Sequence, residues 1–223
     1  MIEISKIEIK LANIIENNSY LEKKFSLRKK SIQKLTGIKK RYISRPNDTS
    51  EKNAYLVCKK LSKKNLVSLT HIISVTNTPS IKFPGISNFV ASNLNLENVH
   101  CINLNSGCTG YVDALSLSYD IISNNNKNKI LIVTTDTYSK FINKNNRSVR
   151  PLFSDGASAS IIKYSKKGFK LKIRKFKNIK NTQDDLSFKD NEIKMNGPAV
   201  ASFAMQHVVP EIKKYQKYVD SIF

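Results

Sequence analysis

Apolar residues alternate with polar ones at Ile2 and Ile4, then at Ile7, Ile9 and Leu11, which predicts an N-terminal strand over Ile2 to Leu11. Asn17-Asn18-Ser19 offers an N-cap for a short helix through Tyr20 to Phe25. Residues 26–35 are basic and weakly patterned, and Thr36-Gly37 turns the chain into an extended segment ending at Ile43. Asp48-Thr49-Ser50-Glu51 opens a helix with Ala54, Val57, Cys58 and Leu61 on one face. Leu66 to Val75 is rich in branched residues and reads as a buried strand, broken by Asn77-Thr78-Pro79-Ser80. Pro84-Gly85 leads a second helix, roughly Ile86 to Leu94.

His100 to Leu104 is a short apolar run and reads as a strand. After it, Cys108, Val112, Leu115, Tyr119 and Ile122 recur at spacings of four and three, one face of a helix that the Asn124-Asn125-Asn126 run ends. Within Lys129 to Thr135 the run Ile130, Leu131, Ile132 and Val133 is wholly apolar, as expected of a central strand covered on both sides. Asp136 to Arg150 is polar and loop-like. Phe153-Ser154-Asp155-Gly156-Ala157 reads as a tight turn feeding a strand from Ala157 to Tyr164. A further strand is expected over Phe169 to Phe176, a polar surface excursion over 177–191, and a helix from about Ala199 to Tyr218 opened by Met195-Asn196-Gly197-Pro198. Strands alternating with helices imply an α/β layer structure with a mixed, mostly parallel sheet.

Composition narrows the class. The 223 residues carry 38 Lys and Arg against 17 Asp and Glu, a formal charge of +21. Such a charge suits nucleic acid, an anionic membrane surface or an acidic protein partner. The lysines are scattered along the chain without an Arg-rich arm, zinc-finger or RNA-recognition motif, so most of the charge reads as solvated surface and no nucleic acid is expected. Cys58, Cys101 and Cys108 make an odd count without metal-ligand spacing, so no metal is expected and a reducing compartment is implied. Nothing resembling a signal peptide or a membrane span is present, and a cytoplasmic location follows as an expectation.

Candidate chemistry centres on Asn105-Ser106-Gly107-Cys108-Thr109-Gly110. This segment joins a strand to a helix, which places Cys108 at or near the helix's first turn. Unpaired amides and the helix dipole favour a thiolate there. Gly107 and Gly110 leave room for a substrate backbone. Cys58 and Cys101 fall in helical and strand patterns and read as core. His71 and His100 belong to strand segments and read as structural, and His207, mid-helix beyond Phe203, reads as a surface or capping residue. Asp113 shares no helical face with Cys108 and is assigned no chemistry.

Five motifs occur in order: Thr36-Gly37-Ile38; Asn77-Thr78-Pro79 with Phe83-Pro84; the segment around Cys108; Phe153-Ser154-Asp155-Gly156-Ala157; and Met195-Asn196-Gly197. Together they resemble the beta-ketoacyl-acyl-carrier-protein synthase III family, of thiolase-like layered α-β-α fold. The resemblance implies that Cys108 takes an acyl group as a thioester, which the enolate of a decarboxylating malonyl-acyl-carrier protein then attacks. It implies acyl-coenzyme A or acyl-carrier protein and malonyl-acyl-carrier protein as substrates, with no tightly bound cofactor. Phe83, Pro84, Phe153, Asp155 and Gly156 would form the acyl pocket or the wall beside the nucleophile. Arg41, Arg147 and Arg150 would contact the carrier or coenzyme A. Partners would be an acyl-carrier protein and a second subunit, as a homodimer or a heterodimer with a homologue.

The sequence also departs from the family. Several members hold the adenine of coenzyme A with a Trp and an Arg just before Thr-Gly-Ile; this chain has no Trp and has Leu35 before Thr36, which puts a carrier-bound donor level with coenzyme A. The family's second half supplies a histidine, an asparagine and a glycine-rich segment that find no counterpart in these 223 residues. The chain thus reads as an N-terminal half, residues 1–168, and the beginning of a second, residues 169–223. A catalytically incomplete partner subunit or fragment, and an acyltransferase to oxygen or nitrogen acceptors, are the alternatives to a condensing enzyme.

Overall fold

The computed structural model describes residues 1–172 and 174–216. They divide into two compact units: Met1–Lys140 with Ser154–Lys175, and Phe141–Phe153 with the chain from Phe176 on.

In chain order the first unit holds β1 (Ile2–Leu11), β2 (Ile14–Asn17), α1 (Asn18–Lys24), α2 (Ser31–Thr36) and β3 (Lys40–Ile43). Then come α3 (Ser50–Cys58), α4 (Lys63–Leu66), β4 (His71–Val75), α5 (Ile86–Asn93), β5 (His100–Leu104), α6 (Gly110–Asn124), β6 (Lys129–Asp136) and β7 (Gly156–Tyr164). The main sheet has the order β1-β7-β6-β4-β5. β4 pairs parallel with both β5 and β6, while β7 runs antiparallel to β6 and to β1. Four strands therefore point one way and β7 alone opposes them, the mixed, mostly parallel sheet that the alternation of strands and helices implied. β2 and β3 form a separate antiparallel hairpin.

β6 lies at the centre of the sheet, and its unbroken apolar run serves two cores. Leu131 and Val133 join Ile72, Ala159 and Ile161 beneath Ala54, Val57 and Cys58 of α3 and Ile86 and Val90 of α5. Ile130 and Ile132 join Ile73, Val75 and Ile162 against Ala114, Leu115 and Ile122 of α6. Each Leu, Ile or Val among them, fully buried, contributes about 1.5–3 kcal/mol. The four residues expected on the inner face of α3 are all buried. The Thr49 hydroxyl caps this helix, accepting from Lys52 N at 3.2 Å.

Several sequence expectations are corrected. The run from Leu66 to Val75 is not one strand: α4 ends at Leu66, Ser68 turns at φ 62°, and the ladder starts at His71. Val112 is 55% exposed and does not lie on the inner face of α6. A tighter 3-10 turn over Gly107–Thr109 precedes the α-helix, so extending a 3.6-residue period back to Cys108 misjudges the phase. The strand expected over Phe169 to Phe176 is a single bridge, Ile2 with Phe169, among the described residues. Ile173 of that strand lies outside the described residues.

In the second unit, part of the expected polar excursion is a hairpin of β8 (Leu186–Lys189) and β9 (Glu192–Met195). Asp190 (φ 54°) and Asn191 (φ 59°) make its two-residue turn, a left-handed pair that suits the twist of the strands. Ile193 N donates to Phe141 O at 2.8 Å, and Phe141 meets Phe188 edge-on at 5.0 Å. Asn196 caps α7 (Gly197–Phe203) by accepting from Ala199 N. A π-turn over Ala204–Val208 leads into α8 (Val209–Gln216). The last two residues of the helix expected to Tyr218 lie outside the described residues.

Candidate active site

β5 delivers the chain to the carboxyl end of the sheet, where the 3-10 turn Gly107–Thr109 presents Cys108 before α6 begins. Two glycines shape this turn for different reasons. Gly107 holds φ at +56° in open surroundings, so the requirement there is conformational. Gly110 has ordinary dihedrals, but a Cβ there would stand 2.3 Å from Val75 Cγ1. The absent side chain lets α6 settle directly on β4. Thr109 Oγ1 donates to the Asp113 carboxylate at 2.9 Å, closing the first turn of the helix.

The three thiols have different surroundings. Cys58 is buried, and desolvation pushes its pKa up to about 12. Partial burial raises that of Cys101, against a hydrogen bond with Ser87. Cys108 is exposed.

A polar network borders Cys108. Tyr138 Oη donates to Asn77 Oδ1 at 3.1 Å, and Asn77 Nδ2 donates to Asn105 Oδ1, three residues before the cysteine. Burial pushes the Tyr138 phenol upward, and the charges of Asp136 and Cys108 push it further. Asp136 ends β6. Its Oδ1 accepts from Thr76 Oγ1 (3.1 Å), Asn77 N (2.8 Å), Thr78 N (3.1 Å) and Thr78 Oγ1 (2.9 Å). Burial nevertheless holds this carboxyl above its usual range. The sequence reading missed Asp136, Tyr138 and the part played by Asn77. A usable signal was present: a carboxylate closing an apolar central strand, at the strand end where open α/β sheets place their sites.

Asp155 is buried and acts as a clamp. Its carboxylate accepts from Ser44 N at 2.7 Å, from Ser139 N at 2.8 Å and from the Ser139 hydroxyl. Its own amide donates to Tyr42 O at 2.7 Å. It thus ties the β2–β3 hairpin to the turn that carries Tyr138. Gly156 follows it opposite Asp136, and a Cβ there would press on Lys10 O at 3.2 Å.

The family model described as 3-oxoacyl-(acyl-carrier-protein) synthase III matches residues 102–178, which hold both the Cys108 turn and the Asp155 clamp. Beta-ketoacyl-(acyl-carrier-protein) synthase III of Clostridium perfringens is 30% identical over 220 residues, covering 90% of this chain and 68% of that protein. This chain belongs to the beta-ketoacyl-acyl-carrier-protein synthase III family. Beta-ketoacyl-(acyl-carrier-protein) synthase III 2 of Staphylococcus epidermidis is 34% identical over 156 residues, and the match covers 48% of that relative's length. The chain thus spans about half to two thirds of these curated relatives. A crystal structure titled 3-oxoacyl-(acyl-carrier-protein) synthase III superposes with a TM-score of 0.86 at 24% identity, over 96% of this chain and 72% of that one, and shows the same thiolase-like fold.

The residues that the synthase III resemblance singled out are placed as follows. Phe83 is 90% exposed and Pro84 is exposed beside it, at the turn into α5. Arg41, expected to contact carrier or coenzyme A, is corrected to a structural residue: it is 1% exposed, and its guanidinium bonds Glu16 and, at 2.9 Å, Asn18 Oδ1. Phe153, Arg147 and Arg150 belong to the second unit, where Arg147 is exposed and Arg150 is buried. His71 and His100 face each other at 5.4 Å where β4 and β5 begin, at the opposite end of the sheet from Cys108. Among the described residues, no cluster of three or more His, Cys, Asp or Glu could hold a metal ion, and no helix is long and apolar enough to cross a membrane.

Proposed function

We propose that Cys108 is an acyl-accepting nucleophile and that the protein is a 3-oxoacyl-acyl-carrier-protein synthase III-like acyltransferase. The carrying observation is the placement of the one exposed thiol, on a glycine-shaped turn at the carboxyl end of the sheet and ahead of α6. Family membership supports the same reading.

The chemistry runs in two parts. The Cys108 thiolate adds to the carbonyl of an acyl-coenzyme A or acyl-carrier thioester. The tetrahedral oxyanion collapses, the donor's carbon–sulfur bond breaks, and the donor thiol leaves with the proton. The Cys108 amide supplies one hydrogen bond to that oxyanion. Malonyl-acyl-carrier protein then loses carbon dioxide, and its enolate attacks the Cys108 thioester. A carbon–carbon bond forms and the cysteine thiolate is released. Asp155 and Gly156 hold the wall behind this chemistry, and Phe83 and Pro84 border the acyl group.

Residues 1–168 are read as the nucleophile-bearing half and 169–223 as the opening of the second. The partners proposed are an acyl-carrier protein and a second copy or homologue of the chain, in the cytoplasm.

The test combines an acyl-coenzyme A or acyl-carrier donor with malonyl-acyl-carrier protein and measures 3-oxoacyl-carrier product by mass. Product that disappears in Cys108→Ala supports the reading. Acyl transfer to an oxygen or nitrogen acceptor without carbon dioxide release would replace condensation with simple transfer.

A further inference from the structure

His71 and His100 open two neighbouring strands. β4 and β5 run parallel, and the two histidines are direct partners in the register. Strand alternation sets both on the face shared by Ile73, Val75, Ile102 and Leu104, the face packed against α6. Their ring centroids are 5.4 Å apart and the rings are tilted by 57°. Neither is a core residue: His71 is half-buried and His100 is exposed. Cys108 lies beyond the other end of β5, so neither ring takes part in acyl transfer.

Thr70 fixes one of the rings. A hydroxyl has a single proton. That of Thr70 goes to Lys129 O at 3.1 Å, and its oxygen accepts from Lys129 N at 3.2 Å. The oxygen then accepts from His71 Nδ1, 2.8 Å away. In this arrangement Nδ1 of His71 is the protonated nitrogen, and Nε2 carries the lone pair. Burial, with His100 adding to it, holds the His71 imidazole below its ordinary value, so the ring is uncharged at neutral pH. A neutral imidazole whose second nitrogen is held by a hydrogen bond is the form in which histidine binds metal. The spacing also suits a shared ion. Two imidazoles on one zinc ion, each bonded at about 2.0–2.1 Å, put their ring centres roughly 5 Å apart. Lys129 immediately precedes Ile130, the partner of His71 on β6, and carries its charge on the other face of the sheet. Its Nζ donates to Lys64 O at 3.1 Å and Val67 O at 2.9 Å.

We propose that His71 and His100 form a two-histidine site for a divalent transition-metal ion, copper or zinc, that pins the start of the edge strand β5 to β4. Two protein ligands are fewer than an enclosed centre uses, so the site is open and water fills the other positions. Imidazole nitrogen suits these ions, whereas magnesium and calcium take oxygen. The site is independent of Cys108 acylation.

The test uses the whole chain carrying Cys108→Ala, which removes the exposed thiol as a competing ligand. Zinc chloride is titrated calorimetrically in a non-chelating buffer, and copper(II) binding is read by electron paramagnetic resonance. His207 is the third histidine of the chain, and His207→Gln serves as the control. The expected result is one ion per chain, bound at least tenfold more weakly after His71→Gln or His100→Gln and equally well after His207→Gln. The copper signal shows two imidazole nitrogens in the parent and one in His100→Gln. Excess zinc raises the thermal midpoint of the parent and leaves that of His100→Gln unmoved, because an ion held only by the folded pair stabilises the fold. His100 is exposed, so His100→Gln keeps the metal-free midpoint and separates lost binding from lost structure. No saturable binding by the folded parent, binding that survives His100→Gln, or a single nitrogen in the parent's copper signal would overturn the proposal. So would an equal loss in His207→Gln.

Discussion

The Tyr138 hydroxyl donates to Asn77 Oδ1 at 3.1 Å, and that amide passes the connection to Asn105 at the foot of the Cys108 turn. The side chain with the burial-raised phenol is thereby linked to the segment that carries the thiol. Removing the hydroxyl loosens Asn77 without opening a cavity. Tyr138→Phe is expected to slow Cys108 acylation about tenfold, since one hydrogen bond is worth about 0.5–1.5 kcal/mol and tenfold corresponds to about 1.4 kcal/mol. Thermal stability should change little. Single-turnover acylation measured against pH separates the effects: a network that acts on the thiol alters the profile, and mere loss of structure does not.

Gly110 makes a sharper steric prediction. With a Cβ placed 2.3 Å from Val75 Cγ1, Gly110→Ala overpacks the joint between α6 and β4. Such insertions cost about 1–3 kcal/mol. Denaturant unfolding should show that loss, and adding Val75→Ala should recover part of it. Additive destabilisation in the double variant would mean that the two positions do not compete for space.

Thiol accessibility orders the cysteines. Iodoacetamide at neutral pH should modify Cys108 first and Cys101 more slowly, and should reach Cys58 only on unfolding. Peptide mapping over time reads this order directly. Early labelling of Cys58 would contradict its burial between α3 and the sheet.

Much of this arrangement was legible in the residues. The apolar run of β6 identified the central strand because both of its faces are buried, and the glycines around Cys108 marked the turn. What failed shares a physical cause: periodicity measures burial, not hydrogen bonding or charge pairing. Val112 continued the four-residue spacing, yet the buried face of α6 runs through Ala114, Ser118 and Ile122 and leaves Val112 exposed. Arg41 looked available as a basic residue, but Glu16 and Asn18 draw it inside. Asp190-Asn191 carried a hairpin signal inside a stretch read only as polar. The Asp136 cluster is assembled from separate segments by tertiary contacts, which spacing along the chain does not report.

Arg174 grips the Asp120 carboxylate with both terminal nitrogens, at 2.5 and 2.6 Å, and lies over the Tyr119 ring. The arginine holds the Asp120 carboxyl below its ordinary 3.8. A depressed folded value means that the contribution is complete above the unfolded value and is lost as pH falls through the folded one. Both groups are partly exposed, so solvent screening keeps the pair at or below about 1 kcal/mol. Arg174→Met should remove this acid-side dependence at low salt and show less difference from the parent at high salt. Chemical denaturation from neutral pH down to about pH 3 tests it.

The central claim is that Cys108 forms the acyl thioester. Intact-mass and peptide analysis after brief incubation with an acyl-coenzyme A or acyl-carrier donor tests it most directly. The account predicts one acyl group per chain, on Cys108, released by hydroxylamine and absent in Cys108→Ala. Acylation at another residue, or none from either donor by a folded protein, would contradict it.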